Sequence, residues 1–221
     1  MTEPELIIFD CDGVLVDSEP PANRVLAEYL KRHGLDMTLD QVMSTFVGLS
    51  LGSCAEIALR DHGVRLPDSF VPDIRRLTAE VLAREVKPIA GVRAAVTAIA
   101  RPACVASSGE ISKMRLTLGT TGLLDLFEGR LYSATMVERG KPAPDLFLHA
   151  AAAMGADPAR CAVVEDSPFG IQAARAAGMR AIGFTGGGHR DHERDAGLLR
   201  EAGAAAVIER MAALPDALRF G

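Results

Sequence analysis

The stretch Ile7-Ile8-Phe9-Asp10-Cys11-Asp12-Gly13-Val14-Leu15-Val16-Asp17-Ser18-Glu19-Pro20 turns from a greasy strand into an acidic loop within a few residues. A short apolar run bounded by turn residues reads as a buried strand. The carboxylates beyond it, Asp10 and Asp12, repel each other on one tight turn and gain nothing from apolar surroundings. A fold tolerates that turn when something cationic sits between them.

The pattern on the far side of this stretch changes period. Apolar residues recur at i, i+3 and i+4 near 24–33, 39–46, 51–62 and 72–85, separated by turn signals at His33-Gly34, Gly48 and Leu66-Pro67-Asp68, so the segment reads as all-helical. From Lys87-Pro88 onward, short apolar runs at 103–106, 130–133, 161–164, 181–184 and 205–208 alternate with helical patterns near 92–100, 112–120, 144–154, 168–177 and 193–202. Such alternation means βαβ units and a parallel sheet. The expected fold is therefore α/β: a Rossmann-like doubly wound parallel sheet core built from residues 1–18 and 87–221, with a helical cap, residues 19–86, inserted after the first strand.

Ligands of open parallel sheets bind beyond the carboxyl ends of the strands, where strand order reverses. The residues just past each strand are then informative. The first strand gives Asp10 and Asp12; the second gives Ser107, Ser108 and Gly109; the third is followed by Gly140-Lys141-Pro142; the fourth gives Glu165, Asp166 and Ser167. Each piece alone is an ordinary turn, loop or helix cap. Four at successive strand ends make a site. Lysine is scarce, four residues against twenty arginines, so Lys141 in a strand-end loop reads as a chosen point charge. Asp10, Asp12, Glu165 and Asp166 against Lys141 leave a net formal charge of −3. One divalent cation relieves most of it, and hard oxygen donors without His or Cys point to Mg²⁺.

Composition sets the remaining bounds. The chain has 221 residues, 48% hydrophobic, with a net charge of −5, which argues against nucleic acid and against an anionic membrane surface as partners. The absence of a basic leader or a membrane-length apolar run, and four scattered cysteines (11, 54, 104, 161), fit a reduced cytoplasmic setting and a monomer or weak homodimer. Cys11 reads as a small core side chain. The run Gly186-Gly187-Gly188-His189-Arg190-Asp191-His192 offers two histidines three apart, but no third ligand, and reads as a flexible surface loop near the rim of the site.

These motifs resemble the haloacid dehalogenase (HAD) superfamily, in the branch with a helical cap that includes β-phosphoglucomutase-like, phosphoglycolate-phosphatase-like and 6-phosphogluconate-phosphatase-like enzymes. Asp10-Cys11-Asp12-Gly13-Val14-Leu15-Val16-Asp17-Ser18 is similar to the first motif, Ser107 to the second, Lys141 to the third and Glu165-Asp166-Ser167 to the fourth. The resemblance implies a Mg²⁺-dependent phosphatase acting on a small phosphorylated metabolite, a sugar or sugar-acid phosphate. Asp10 would be the nucleophile and Asp12 the general acid and base. Asp10, Asp166, Glu165 and the Asp12 backbone carbonyl would hold the metal. Ser107, Ser108 and Lys141 would bind the phosphoryl group. Asp17 and Ser18 would form a cap hinge, or simply cap the next helix. A dehalogenase of this superfamily lacks the second aspartate, and a signalling receiver has about half the length and no insertion. The sugar phosphomutases of the branch carry a cap histidine after the first motif and basic residues on a substrate loop; here the first stretch reads Ser18–Asn23 without His, and Val47 and Leu51 stand in the loop. A phosphomutase is therefore the second reading, and a non-catalytic phospho-acceptor or binding module a more distant one.

Overall fold

The computed structural model describes residues 3–46 and 49–220. By internal contacts the chain divides into two compact units, one running up to Asp17 and resuming at Lys87, the other spanning Ser18–Val86.

The first unit is built on a six-stranded sheet: β1 (Leu6–Phe9), β2 (Ala103–Ser107), β3 (Leu131–Ser133), β4 (Cys161–Glu165), β5 (Arg180–Phe184) and β6 (Ala206–Ile208). The spatial order is β3-β2-β1-β4-β5-β6, and every pairing is parallel. β1, β2 and β4 are buried along their whole length. That is why they read as continuous apolar runs rather than alternating ones. β1 pairs with β2 on one side and β4 on the other. The direction of winding reverses between β1 and β4, so the switch point lies at Asp10 and Glu165.

Five helices of this unit lie between strands or close the chain: α5 (Val92–Ile99), α6 (Ile111–Thr120), α7 (Asp145–Ala153), α8 (Pro168–Ala176) and α9 (His192–Ala202), followed by a terminal α10 (Leu214–Phe220). α10 carries no pattern distinctive enough to be read from the sequence. One core joins Leu6, Ile8, Cys104, Leu146, Phe147, Val163, Ile171 and Leu199 across the sheet and α7–α9. The chain leaves and re-enters side by side: Asp17 N donates to Lys87 O at 2.9 Å and Ile89 N to Leu15 O at 3.0 Å.

Among its described residues the regular elements of the second unit are all helices: α1 (Glu19–Arg32), α2 (Leu39–Phe46), α3 (Leu51–His62) and α4 (Phe70–Glu85). α1 starts five residues earlier than its periodicity predicts, because Pro20 and Pro21 occupy the first turn, where a missing N–H costs nothing. Val25, Leu26, Leu30, Val42, Phe46, Phe70 and Ile74 form its own core. Tyr29 Oη donates to Asp73 Oδ2 at 3.2 Å between α1 and α4. Within the stretch expected as a substrate loop, Val47 and Gly48 lie outside the described residues. No single helix among the described residues is long and apolar enough to cross a membrane.

Candidate active site

Asp10 follows β1 directly, its N–H donating to Val164 O at 2.9 Å, and the residue is 6% exposed. Glu165 ends β4 and Asp166 follows it; both are buried. Asp10, Glu165 and Asp166 each offer a carboxylate oxygen within 4.8 Å of the others. Lys141 bridges the first two: Nζ donates to Asp10 Oδ1 at 2.6 Å, to Glu165 Oε2 at 2.7 Å and to Ala106 O at 3.3 Å, with the Phe147 ring 5.0 Å away. These three acceptors match the three ammonium donors. Burial works against the lysine's charge, but Asp10 and Glu165 overcome it and hold the ammonium above the usual lysine range. Burial pushes the Asp10 carboxyl well up; Lys141 pulls it down, and Glu165, Asp166 and Asp12 add to the rise.

Glu165 is fixed by its own turn. Oε1 accepts from Ser167 N at 3.2 Å and Ser167 Oγ at 2.7 Å, while Ser167 caps α8 by accepting from Gly170 N at 3.1 Å. Gly170 is required here: a Cβ would lie 1.9 Å from Glu165 Cδ. Gly13 is constrained twice, by φ of +76° and by Asp166 Oδ2, 2.2 Å from where its Cβ would stand.

Asp12 is separate from the three-carboxylate group. Its Oδ2 accepts from Lys113 Nζ of α6 at 2.9 Å. Ser107 is buried, its Oγ accepting from Gly109 N at 3.1 Å, whereas Ser108 is exposed. A Cβ at Gly109 would stand 3.5 Å from Asp12 Oδ2 and 3.6 Å from Ser107 Oγ, so this turn closes on the first motif. Ser133 of β3 braces it, donating to Gly109 O at 2.8 Å. Cys11 is buried with its Sγ 3.9 Å from Thr117 Oγ1, and burial followed by Asp12 and Asp10 keeps its thiol protonated, as befits a core side chain.

Two expectations need correction. Residues 186–192 form a partly exposed loop beside the site, as expected, but they are closely packed rather than loose. A Cβ at Gly186 would stand 2.1 Å from Glu209 O, and one at Gly187 3.0 Å from Gly13 O; Gly188 N donates to Asp17 Oδ1 at 2.9 Å. The three glycines let the backbone pass through this narrow space and turn His189 and Arg190 onto the site. His189 Nε2 lies 3.2 Å and Arg190 Nη2 3.1 Å from Asp166 Oδ2. Burial alone would raise the Asp166 carboxyl, but His189 and Arg190 outweigh it and hold it low. His192 instead bonds Thr185 Oγ1 through Nδ1, so the two histidines share no site. Second, Ser18 stands at the N-cap of α1 but does not cap it through its side chain, and Asp17 serves Gly188.

Lys113 is the residue missed from sequence; His189 and Arg190 were singled out within residues 186–192 but given no role at the site. Lys113 carried a usable signal, being one of four lysines and lying one helical turn beyond Ser107-Ser108-Gly109. The contact of His189 and Arg190 with Asp166 was not foreseen, because their approach depends on how three glycines fold. With Lys113 and Arg190 included, the four carboxylates face three cations rather than one. The charge imbalance inferred from sequence is smaller in the fold. The feature that still fits a divalent cation is the donor set: three buried carboxylates, all hard oxygen, at the switch point of the sheet.

Comparison with known proteins places this architecture. A haloacid dehalogenase-like hydrolase model matches residues 4–178. The 6-phosphogluconate phosphatase of Escherichia coli K12 is 34% identical over 190 residues, covering 86% of each chain. The fructose-1-phosphate phosphatase of the same organism is 33% identical over 178 residues, 80% of this chain and 94% of that one. A haloacid dehalogenase-like protein from Agrobacterium tumefaciens, of unknown function, superposes with a TM-score of 0.89 at 39% identity over 97% of both chains. The chain belongs to the haloacid dehalogenase-like hydrolase family, as a phosphoric monoester hydrolase.

Proposed function

We propose that this hydrolase cleaves a small sugar or sugar-acid phosphate through a covalent intermediate on Asp10, with Mg²⁺ as its cofactor. The observation that carries the reading is the convergence of Asp10, Glu165 and Asp166 within 4.8 Å, with Lys141 bridging two of them. Asp10 and Asp166, with Glu165 and the Asp12 backbone carbonyl, would hold the metal, which when bound supplies charge neutralisation between the nucleophile and the phosphoryl oxygens. Lys141 aims Asp10 through the bond to its Oδ1 and opposes the rise that burial imposes on its carboxyl. A carboxylate oxygen of Asp10 attacks phosphorus as the phosphorus–oxygen bond to the sugar breaks, and Asp12 gives its proton to the departing alkoxide. Water then loses a proton to Asp12 and attacks the same phosphorus, releasing inorganic phosphate and restoring Asp10. Ser107 and the amides around Ser108 stand at the strand end where phosphoryl oxygens would bind. Residues 19–86 act as the specificity cap, with Asp17 and Ser18 at its hinge.

Hydrolysis rather than phosphomutation is favoured by the first turns of α1, where Pro20 and Pro21 have no side chain to move a proton. The sugar-phosphate class follows the two E. coli relatives. The test is a panel of phosphorylated metabolites that includes 6-phosphogluconate and fructose 1-phosphate, assayed with Mg²⁺ and with EDTA. Inorganic phosphate released only with Mg²⁺ is the expected result; full activity in EDTA contradicts the metal, and clean isomerisation contradicts hydrolysis.

A further inference from the structure

The Arg190 guanidinium lies between two buried carboxylates. Its Nη2 and Nε are 3.1 Å and 3.3 Å from Asp166 Oδ2, and its Nη1 is 3.8 Å from Asp195 Oδ2. Asp166 and Asp195 are 6% and 2% exposed. Asp195 is held in place: Oδ2 accepts from Asp191 N at 3.1 Å, and Oδ1 accepts from Arg194 Nε at 2.9 Å. It sits in the first turn of α9, where a carboxylate is stabilised by the helix N-terminus. A fixed anion is therefore already paired loosely with Arg190, at 3.8 Å against the 3.1 Å of the Asp166 pair.

Asp166 is one of the three carboxylates that would ligate the metal. A doubly charged cation on those oxygens and a guanidinium on the same carboxylate repel each other strongly inside a protein. We propose that Arg190 is a placeholder for the metal, neutralising Asp166 while the cation is absent and moving to Asp195 when it binds. The proposal rests on the metal reading above. The movement is small, since closing the gap from Nη1 to Asp195 Oδ2 to ordinary ion-pair contact takes roughly 1 Å. His189 Nε2, on the same Oδ2 of Asp166, keeps that carboxylate oriented in both arrangements. Arg190 thus acts as a positioning residue, through Asp166, and Asp195 is the other half of the device.

The arrangement makes opposite predictions for two variants, read by calorimetric titration of the full chain with Mg²⁺ in the absence of substrate. Arg190→Met removes the competitor and tightens Mg²⁺ binding by roughly 10-fold. Asp195→Asn removes the refuge, leaves Arg190 on Asp166 and weakens binding by about as much. In the Arg190→Met background, Asp195→Asn changes the affinity by less than about 2-fold, because the coupling runs through the arginine. Arg190→Met that binds Mg²⁺ no better than wild type, or Asp195→Asn with the same effect in both backgrounds, overturns the proposal while leaving the metal site standing. Wild-type protein that binds no Mg²⁺ overturns the metal reading and the placeholder with it. If Asp195→Asn does not fold, Arg190→Met decides alone.

Discussion

Lys113 Nζ donates to Asp12 Oδ2 at 2.9 Å, tying the first turn of α6 to the turn after β1 across 101 residues of sequence. The second aspartate of the motif is thereby drawn away from the Asp10–Glu165–Asp166 group. Two neighbouring carboxylates receive different cations, Lys141 for Asp10 and Lys113 for Asp12. Different environments for paired carboxylates allow different chemical roles. Lys113→Met should lower kcat by roughly 10-fold or more with little change in KM, since it disturbs the orientation of a proton-transfer group rather than a substrate contact. A rise in KM at constant kcat would make Lys113 a substrate anchor instead.

The division of labour between the aspartates is open to a direct test. Asp12→Asn should bind substrate nearly as wild type while turnover falls by roughly 10²–10⁴. Turnover close to wild type in Asp12→Asn would leave that side chain a structural partner of Lys113.

Gly170 tests the support beneath Glu165. Gly170→Ala places a methyl 1.9 Å from the present position of Glu165 Cδ, so one of the two must shift. Either Glu165 abandons Ser167 and Lys141, or the N-terminus of α8 shifts. Thermal denaturation should show a loss of about 1–3 kcal/mol, accompanied by weaker Mg²⁺ binding. An unchanged melting temperature would mean that Glu165 swings aside freely.

The cysteines give a pH prediction. Burial pushes the thiols of Cys54 and Cys161 up to about 11 and that of Cys104 to about 12, from an ordinary 9.0. The folded protein holds these protons where the unfolded chain releases them. Their contribution to stability is therefore complete below pH 9 and is lost as pH rises through 11 to 12. Chemical denaturation should show a falling midpoint across that alkaline window, and iodoacetamide should leave the folded protein unlabelled at pH 8. Rapid labelling at pH 8 would contradict the burial.

The centre of the sheet was legible because β1, β2 and β4 are buried along their whole length and so read as apolar runs, each ending in a polar cluster. Asp10, Ser107, Glu165 and Asp166 could be placed on one edge from that alone, since each directly ends or follows a strand. Lys141 lies eight residues past β3 and stood out by chemistry rather than by position. The run that holds Arg190 was placed near the rim of the site, but its pairing with Asp166 was beyond reach: that path is set by Gly186, Gly187 and Gly188 passing close to Glu209, Gly13 and Asp17, contacts that no periodicity encodes. The helix starts moved for a local reason, as at Pro20-Pro21, where the missing N–H groups coincide with positions that need none.

The central claim is that Asp10 is the phosphoryl acceptor. Brief exposure to a ³²P-labelled sugar phosphate that the panel shows to be turned over, with Mg²⁺ present and an acid quench, should leave label on the protein. Peptide mapping should place that label at Asp10, and Asp10→Asn should show neither label nor turnover. Phosphate release at the full rate without protein-bound label, together with an active Asp10→Asn variant, would contradict the account.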